Sequence, residues 1–395
     1  MQLNKMQQQN DVQTRLTDFD ALSSRLSAYL KGYLPDDELI LPLTAQVLKY
    51  YLLSLEEYEQ FSQKRSLKHQ FFNLFSNGSY IKTGVPLRGT LKSPLINRGT
   101  YFRTKSIDNE LDVWLDNHKD ESVQIVSLGS GNDTRPFRLL PKHSNLNFIE
   151  IDFEESTRIK SLAILSVPKL ADLVGVPTNL LLSETNQPKT KKEIDQSSLS
   201  LHTDRYHLVS LDLRLLENKK LIEIECLNSI IDTEKPTIII SECCICYMSL
   251  ESSDAVIKFW RNALPTGLFL IYEPLGGAES QGHDHFNNDN TERRSIGLNT
   301  NTTNHGYGVV MVRNLSSRGI EMPTLMVYGT INAQKGRFQK LVSNNTIVET
   351  IKDVSDRTPN SEIMRMSRLE MLDEVEELNL INTHYCLIKS YWDSK

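Results

Sequence analysis

The segment Val123–Leu139, VQIVSLGSGNDTRPFRL, constrains this chain more than any other. An apolar run breaks at Gly129-Ser130-Gly131 and passes through a polar turn into a helical start. This is how a buried parallel strand delivers backbone N–H groups and a helix N-terminus to a ligand. Glycine at Gly129 and Gly131 lets a ligand approach the backbone closely and tolerates angles that other residues avoid. Alone, Gly-x-Gly is more often a tight turn than a cofactor loop, so its neighbours decide.

Asn147–Asp152 is a second short apolar run, and it ends in an acid about 20 residues beyond the loop, where a βαβ unit presents a carboxylate to ribose hydroxyls. The loop lacks the third glycine of a dinucleotide fingerprint; Asn132-Asp133-Thr134 stands in its place. An acid there repels phosphate. The expected cofactor therefore carries a ribose but no phosphate at the loop, and S-adenosyl-L-methionine, with its ammonium group, fits.

Two more runs repeat the geometry. Tyr206–Leu211 ends in Asp212-Leu213, and Thr237–Ser241, with three consecutive isoleucines, ends in Glu242. In an open α/β sheet, ligands lie at the carboxyl ends of the strands, so Gly129, Asp152, Asp212 and Glu242 are expected to converge on one crevice. The bland alternative for each acid is an ordinary helix N-cap.

With these motifs on the page, the sequence resembles the leucine carboxyl methyltransferases. The likeness is carried by Thr17–Tyr33 (TDFDALSSRLSAYLKGY), Ile96–Arg103 (INRGTYFR), the LGSGNDT loop, Glu150-Ile151-Asp152, Asp212-Leu213-Arg214, Ser241-Glu242-Cys243 with Tyr247-Met248, Tyr272-Glu273, and Met366–Tyr385 (MSRLEMLDEVEELNLINTHY). It implies an α/β fold: the class I S-adenosylmethionine-dependent methyltransferase (Rossmann-like) sheet with an N-terminal helical cap and insertions. It also implies methyl esterification of the C-terminal leucine of the protein phosphatase 2A catalytic subunit, recognised through its C-terminal tail, with S-adenosyl-L-methionine as donor. That modification would regulate holoenzyme assembly. Carried over, the resemblance makes Arg103 the partner of the methionine carboxylate, backs that end with Gly129, and gives the ribose to Asp152. It sets Asp212 and Leu213 beside adenine and Glu242 near the amino-acid or sulfonium end. Arg25 stands where the family has a basic residue reaching into the site; its alternative is a solvated charge on an amphipathic helix. Arg98 reads as structural. The chemistry is direct displacement by an α-carboxylate, already an anion at neutral pH with a pKa of roughly 3.5, so no general base is assigned. Arg103, Arg25 and Tyr247 are the candidates for positioning that carboxylate.

Composition narrows the rest. The 395 residues carry a formal charge of −6, which argues against nucleic acid as the main partner. No long apolar span suggests a membrane helix. The polar, glutamine-rich start lacks the core of a signal peptide. Five cysteines form no paired framework and suit a reducing, cytoplasmic setting. Cys243, Cys244 and Cys246 lack zinc-type partners and read as packing beneath the cofactor, and His283 and His285 are a remote metal alternative. No metal is expected, and the chain reads as a monomer.

Along the chain, 1–16 is expected to be a disordered tail, 17–107 a helical cap, and 108–395 the methyltransferase domain. The domain is interrupted by polar insertions near 168–203 and 276–305, both expected as flexible loops. Leu43–Phe75 reads as mainly helical, Ser361–Leu378 as one helix, and His384–Trp392 as a closing antiparallel edge strand. Three rival functions stay open. A tRNA-modifying relative should continue into a repeat domain, and a small-molecule O-methyltransferase leaves INRGTYFR unexplained. A non-catalytic phosphatase-binding protein would not need acids at all four strand ends.

Overall fold

The computed structural model of the chain describes residues 2–55, 91–276 and 306–393. Helices α1 (Gln2–Leu30), α2 (Ile40–Ser54) and α3 (Pro94–Asn117) precede the sheet. Strand β1 (Val123–Leu128) leads through the glycine loop to the short helix α4 (Arg135–Leu139). There follow β2 (Leu146–Asp152), α5 (Glu154–Leu165), α6 (Pro168–Leu173), α7 (Lys191–Asp195), β3 (Leu201–His202), β4 (Tyr206–Ser210) and β5 (Thr237–Glu242). After α8 (Leu250–Ala263) and β6 (Thr266–Pro274) come α9 (Gly306–Ser316), α10 (Ile331–Leu341), β7 (Thr346–Thr350), α11 (Asn360–Leu369), α12 (Val375–Thr383) and β8 (Tyr385–Asp393).

The sheet runs β3-β4-β2-β1-β5-β6-β8-β7, with β4, β2, β1, β5 and β6 parallel. This is the Rossmann-like α/β sheet expected from the sequence. β1 is buried along its whole length because helices cover both faces, which is why it reads as a continuous apolar run. The three isoleucines of β5 divide accordingly. Ile238 and Ile240 enter the core shared with α1, α2, α3 and α5, and Ile239 enters the opposite core with Trp260 and Phe338.

Four expectations need correction. Residues 2–16 belong to α1 rather than to a disordered tail. The insertion 168–203 packs as well, burying Leu170, Ala171 and Ile194 despite its polar composition, with the Thr190 hydroxyl capping α7. Ser361–Leu378 divides in two: Glu370 turns extended because its carboxylate is held by Asn97 (2.8 Å) and Lys31 (2.7 Å). The closing strand β8 is antiparallel but lies inside the sheet, between β6 and β7, so β7 takes the edge. The second half of Leu43–Phe75 and the insertion 277–305, with His283 and His285, lie outside the described residues. Among the described residues no helix is long and apolar enough to cross a membrane.

Candidate active site

The carboxyl ends of β1, β2 and β5 open into a cleft of about 670 Å³, roofed by α1 and α3. Gly129 (φ +57°) and Gly131 (φ +49°) are left-handed, so the turn after β1 demands glycine. It is also crowded. A Cβ on Gly129 would lie 2.4 Å from Cys244 Sγ, and one on Gly131 would lie 2.2 Å from Asp18 Oδ1. Asp152 closes the loop from β2, accepting from Gly131 N (2.7 Å) and Phe153 N (2.7 Å). Lone pairs remain on both oxygens for ligand hydroxyls.

Arg103 enters from α3. Its Nε donates to Glu242 Oε1 (2.5 Å) and its guanidinium lies 5.3 Å from the Tyr272 ring centroid. Its terminal nitrogens make no hydrogen bond among the described residues, which leaves a cationic fork for an anion. The other oxygen of Glu242 accepts from Arg135 Nη1 (2.8 Å), so one carboxylate joins a cleft arginine to an arginine only 1% exposed. Burial pushes the Glu242 carboxyl up, but the two arginines prevail and hold it below its ordinary value.

Arg135 is the hub that the sequence reading missed. It also bonds Asp108 Oδ1 (2.7 Å) and Asp133 Oδ2 (2.8 Å), while Arg25 bonds Asp133 (2.9 Å) and Asp37 (2.5 Å). Asp133 is thereby held far below its ordinary range, since burial is outweighed by Arg135 and Arg25. This alters two expectations. Asp133 is neutralised from behind, so its repulsion of phosphate is weaker than a bare acid's. Arg25 is neither a solvated charge nor a free cation; it lines the cleft as a partner of two acids. Only the spacing of Arg135 within the LGSGNDTR run, two residues after Asp133, hints at its role, because its other two acids come from α3 and β5.

The remaining candidates separate. Asp212 lines the cleft but also caps the turn Leu213–Leu216 through Arg214 N (3.0 Å) and pairs with the Arg214 side chain, so the N-cap alternative holds there alongside the site reading. Leu213 is not on the cleft wall; its side chain is buried in the core beneath. Tyr247 lines the cleft, and burial holds its hydroxyl well above its usual pKa, a neutral donor. Arg98 donates to Glu370 O (3.1 Å) and is structural, as expected. A second missed residue is Asp18 of α1. It accepts from Asn132 N (3.0 Å) and faces the cleft, its carboxyl pushed up to about 6 by burial and then by Asp152. Among the described residues no group of three His, Cys, Asp or Glu is placed to hold a metal.

A cleft with these groups can accept hydroxyl donors at Asp152 and bind an anion at the Arg103 fork. A family profile described as leucine carboxyl methyltransferase matches residues 34–260. The chain is similar to leucine carboxyl methyltransferase 1 of Debaryomyces hansenii, 33% identical over 96% of this chain and 93% of that one. It is also similar to leucine carboxyl methyltransferase 1 of Candida albicans, 33% identical over 97% and 93%. Among solved structures, phosphoethanolamine N-methyltransferase 2 of Haemonchus contortus in complex with S-adenosyl-L-methionine aligns with a TM-score of 0.36 and 12% identity, over 84% of this chain and 74% of that one.

Proposed function

Because the chain belongs to the leucine carboxyl methyltransferase family, we propose that it methylates the C-terminal leucine carboxylate of the protein phosphatase 2A catalytic subunit, using S-adenosyl-L-methionine. The observation that carries this reading is the Arg103 fork, fixed by Glu242 in the same cleft that Gly129 and Asp152 line.

S-adenosyl-L-methionine, when bound, supplies a methyl carbon activated by a sulfonium. The chain's own residues then bind and align. Asp152 offers its carboxylate to the ribose hydroxyls, and the left-handed turn at Gly129 and Gly131, packed against Cys244 and Asp18, holds the loop beside it. Arg103 offers two free terminal nitrogens to a carboxylate, either the cofactor's or the incoming leucine's. Arg25, locked by Asp37 and Asp133, holds the loop, and Tyr247 offers a neutral hydroxyl donor to the cleft. An α-carboxylate is ionised at neutral pH, so the protein need only strip its water and hold it in line. Such alignment is worth on the order of 7 kcal/mol or more of the barrier.

In this reading the chain acts as a monomer in the reducing cytoplasm, and methylation regulates assembly of the phosphatase holoenzyme. The test is radiolabelled methyl transfer to phosphatase 2A catalytic subunit beside a copy lacking its terminal leucine. Label confined to the intact subunit and released as methanol by mild base supports the reading. Labelling of neither copy, with the cofactor bound, overturns the substrate. Arg103→Ala should lose most turnover, and a variant with near-normal kcat/KM would remove Arg103 from the site.

A further inference from the structure

Glu150 stands two residues before Asp152 in β2, yet the cofactor reading gives it no part, and it is wholly buried. Lys160 reaches it from α5. The Lys160 side chain is 1% exposed, and its Nζ donates to Glu150 Oε1 (2.7 Å) and to the main-chain oxygen of Asp133 (3.0 Å). The buried Tyr206 hydroxyl of β4 donates to the other oxygen of Glu150 (2.6 Å). A lysine this deep needs partners for its charge, and it finds them in β2 and in the glycine loop above.

Stability does not account for the trio. Apolar residues of similar volume in place of a buried ion pair are often neutral or stabilising, because removing both charges from water opposes the gain from their attraction. What the trio adds is a fixed spacing. Glu150 and Asp152 are two positions apart on β2 and so share a face of the sheet. Asp152 holds the loop at Gly131 N (2.7 Å), and Glu150, through Lys160, holds its far end at Asp133 O. One strand therefore grips the loop at two points. Gly131, Asp133 and Asp152 all line the cleft, so this grip sets the gap that a ribose-bearing ligand enters.

We propose that Lys160 is a positioning residue for the cofactor: with Glu150 and Tyr206 it fixes the glycine loop against Asp152 and thereby sets the affinity for S-adenosyl-L-methionine. Buried beneath the loop, it acts through the loop and not by contact. The proposal rests on the function above for its cofactor alone, not for the phosphatase.

The test measures adenosylhomocysteine affinity by calorimetry, beside thermal melts, in the unsubstituted chain, in Lys160→Met and in the triple variant Lys160→Met/Glu150→Leu/Tyr206→Phe. Lys160→Met strands the Glu150 carboxylate, so it should melt lower and bind roughly tenfold more weakly, the worth of one hydrogen bond to a charged group. The triple variant removes all three polar side chains together. It should melt above Lys160→Met yet bind as weakly, whereas a merely structural ion pair would recover affinity along with stability. If Lys160→Met does not fold, the triple variant decides; if neither folds, Tyr206→Phe, which deletes one hydroxyl, should still weaken binding with little change in melting. In methyl transfer the loss should appear as a raised cofactor KM, with kcat at saturating cofactor little changed. Affinity that returns in the triple variant, or never falls in Lys160→Met or in Tyr206→Phe, overturns the proposal and leaves the function above intact. An unsubstituted chain that takes up no adenosylhomocysteine overturns both.

Discussion

At the residue scale, the site is governed by carboxylates that each serve two partners. Glu242 joins Arg103 to Arg135, and Asp133 joins Arg135 to Arg25. Arg135→Met is expected to lose about 3–5 kcal/mol of stability in urea unfolding, because Asp108, Asp133 and Glu242 stay buried with their main counter-charge gone. Glu242→Gln keeps the shape and should raise the cofactor KM more than it lowers kcat. Asp18 brings a pH dependence of opposite sign to a salt-bridged acid. Its carboxyl rises from 3.8 to about 6, chiefly through burial and then through Asp152. Its contribution to folding is therefore full below pH 3.8 and is lost as pH rises to about 6. Asp18→Asn should accordingly be more stable than the unsubstituted chain at pH 7.5, with the gap shrinking toward pH 4 in thermal melts.

Among the elements, the glycine loop and α1 meet face to face. Asp18 fills the space beside Gly131, Arg15 pairs with Glu155 and lies over the Phe153 ring, and Asp11 holds Arg214 (2.8 Å). Gly129→Ala meets both a left-handed φ and the Cys244 sulfur, and overpacking of this kind costs about 1–3 kcal/mol. It should also weaken adenosylhomocysteine binding in calorimetry. Removing residues 1–16 deletes Asp11 and Arg15 but not Asp18 or Arg25. The shortened chain should fold and release the cofactor faster in stopped-flow measurements, since the lost pairs are partly exposed and worth under about 1 kcal/mol each to stability.

Across the whole molecule, segments far apart in sequence share one joint. Ser27 of α1 donates to Asn97 Oδ1 (2.8 Å), Asn97 donates to Glu370 (2.8 Å), and Glu370 also holds Lys31 (2.7 Å). Asn97 and Arg103 belong to the same INRGTYFR helix, so this joint helps set where Arg103 enters the cleft. One core cluster runs from Phe19 through β1 and β5 to Leu387, so the helices before the sheet and one sheet face share their apolar packing. Glu370→Ala is expected to speed amide hydrogen exchange in both α1 and α3 while leaving β1 and β5 protected; unchanged exchange would remove Glu370 as the joint.

The sequence by itself determined the sheet and the mouth of the cleft, because both rest on local patterns. Apolar runs require buried strands, Gly129-x-Gly131 requires a left-handed turn, and a strand's last residue lies at its carboxyl end, which placed Asp152 and Glu242 together. Only tertiary structure decided the charge state of the site. Arg135, Asp18 and Arg25 acquire their roles from acids or amides more than 100 positions away in several cases, as Arg25 does from Asp133 and Asn132 from Asp18. The break at Glu370 arises in the same way, since helical periodicity continues to Leu378 and a long-range ion pair overrides it. Periodicity reports which face a residue presents, but a buried charge takes its meaning from the partners that folding brings to it.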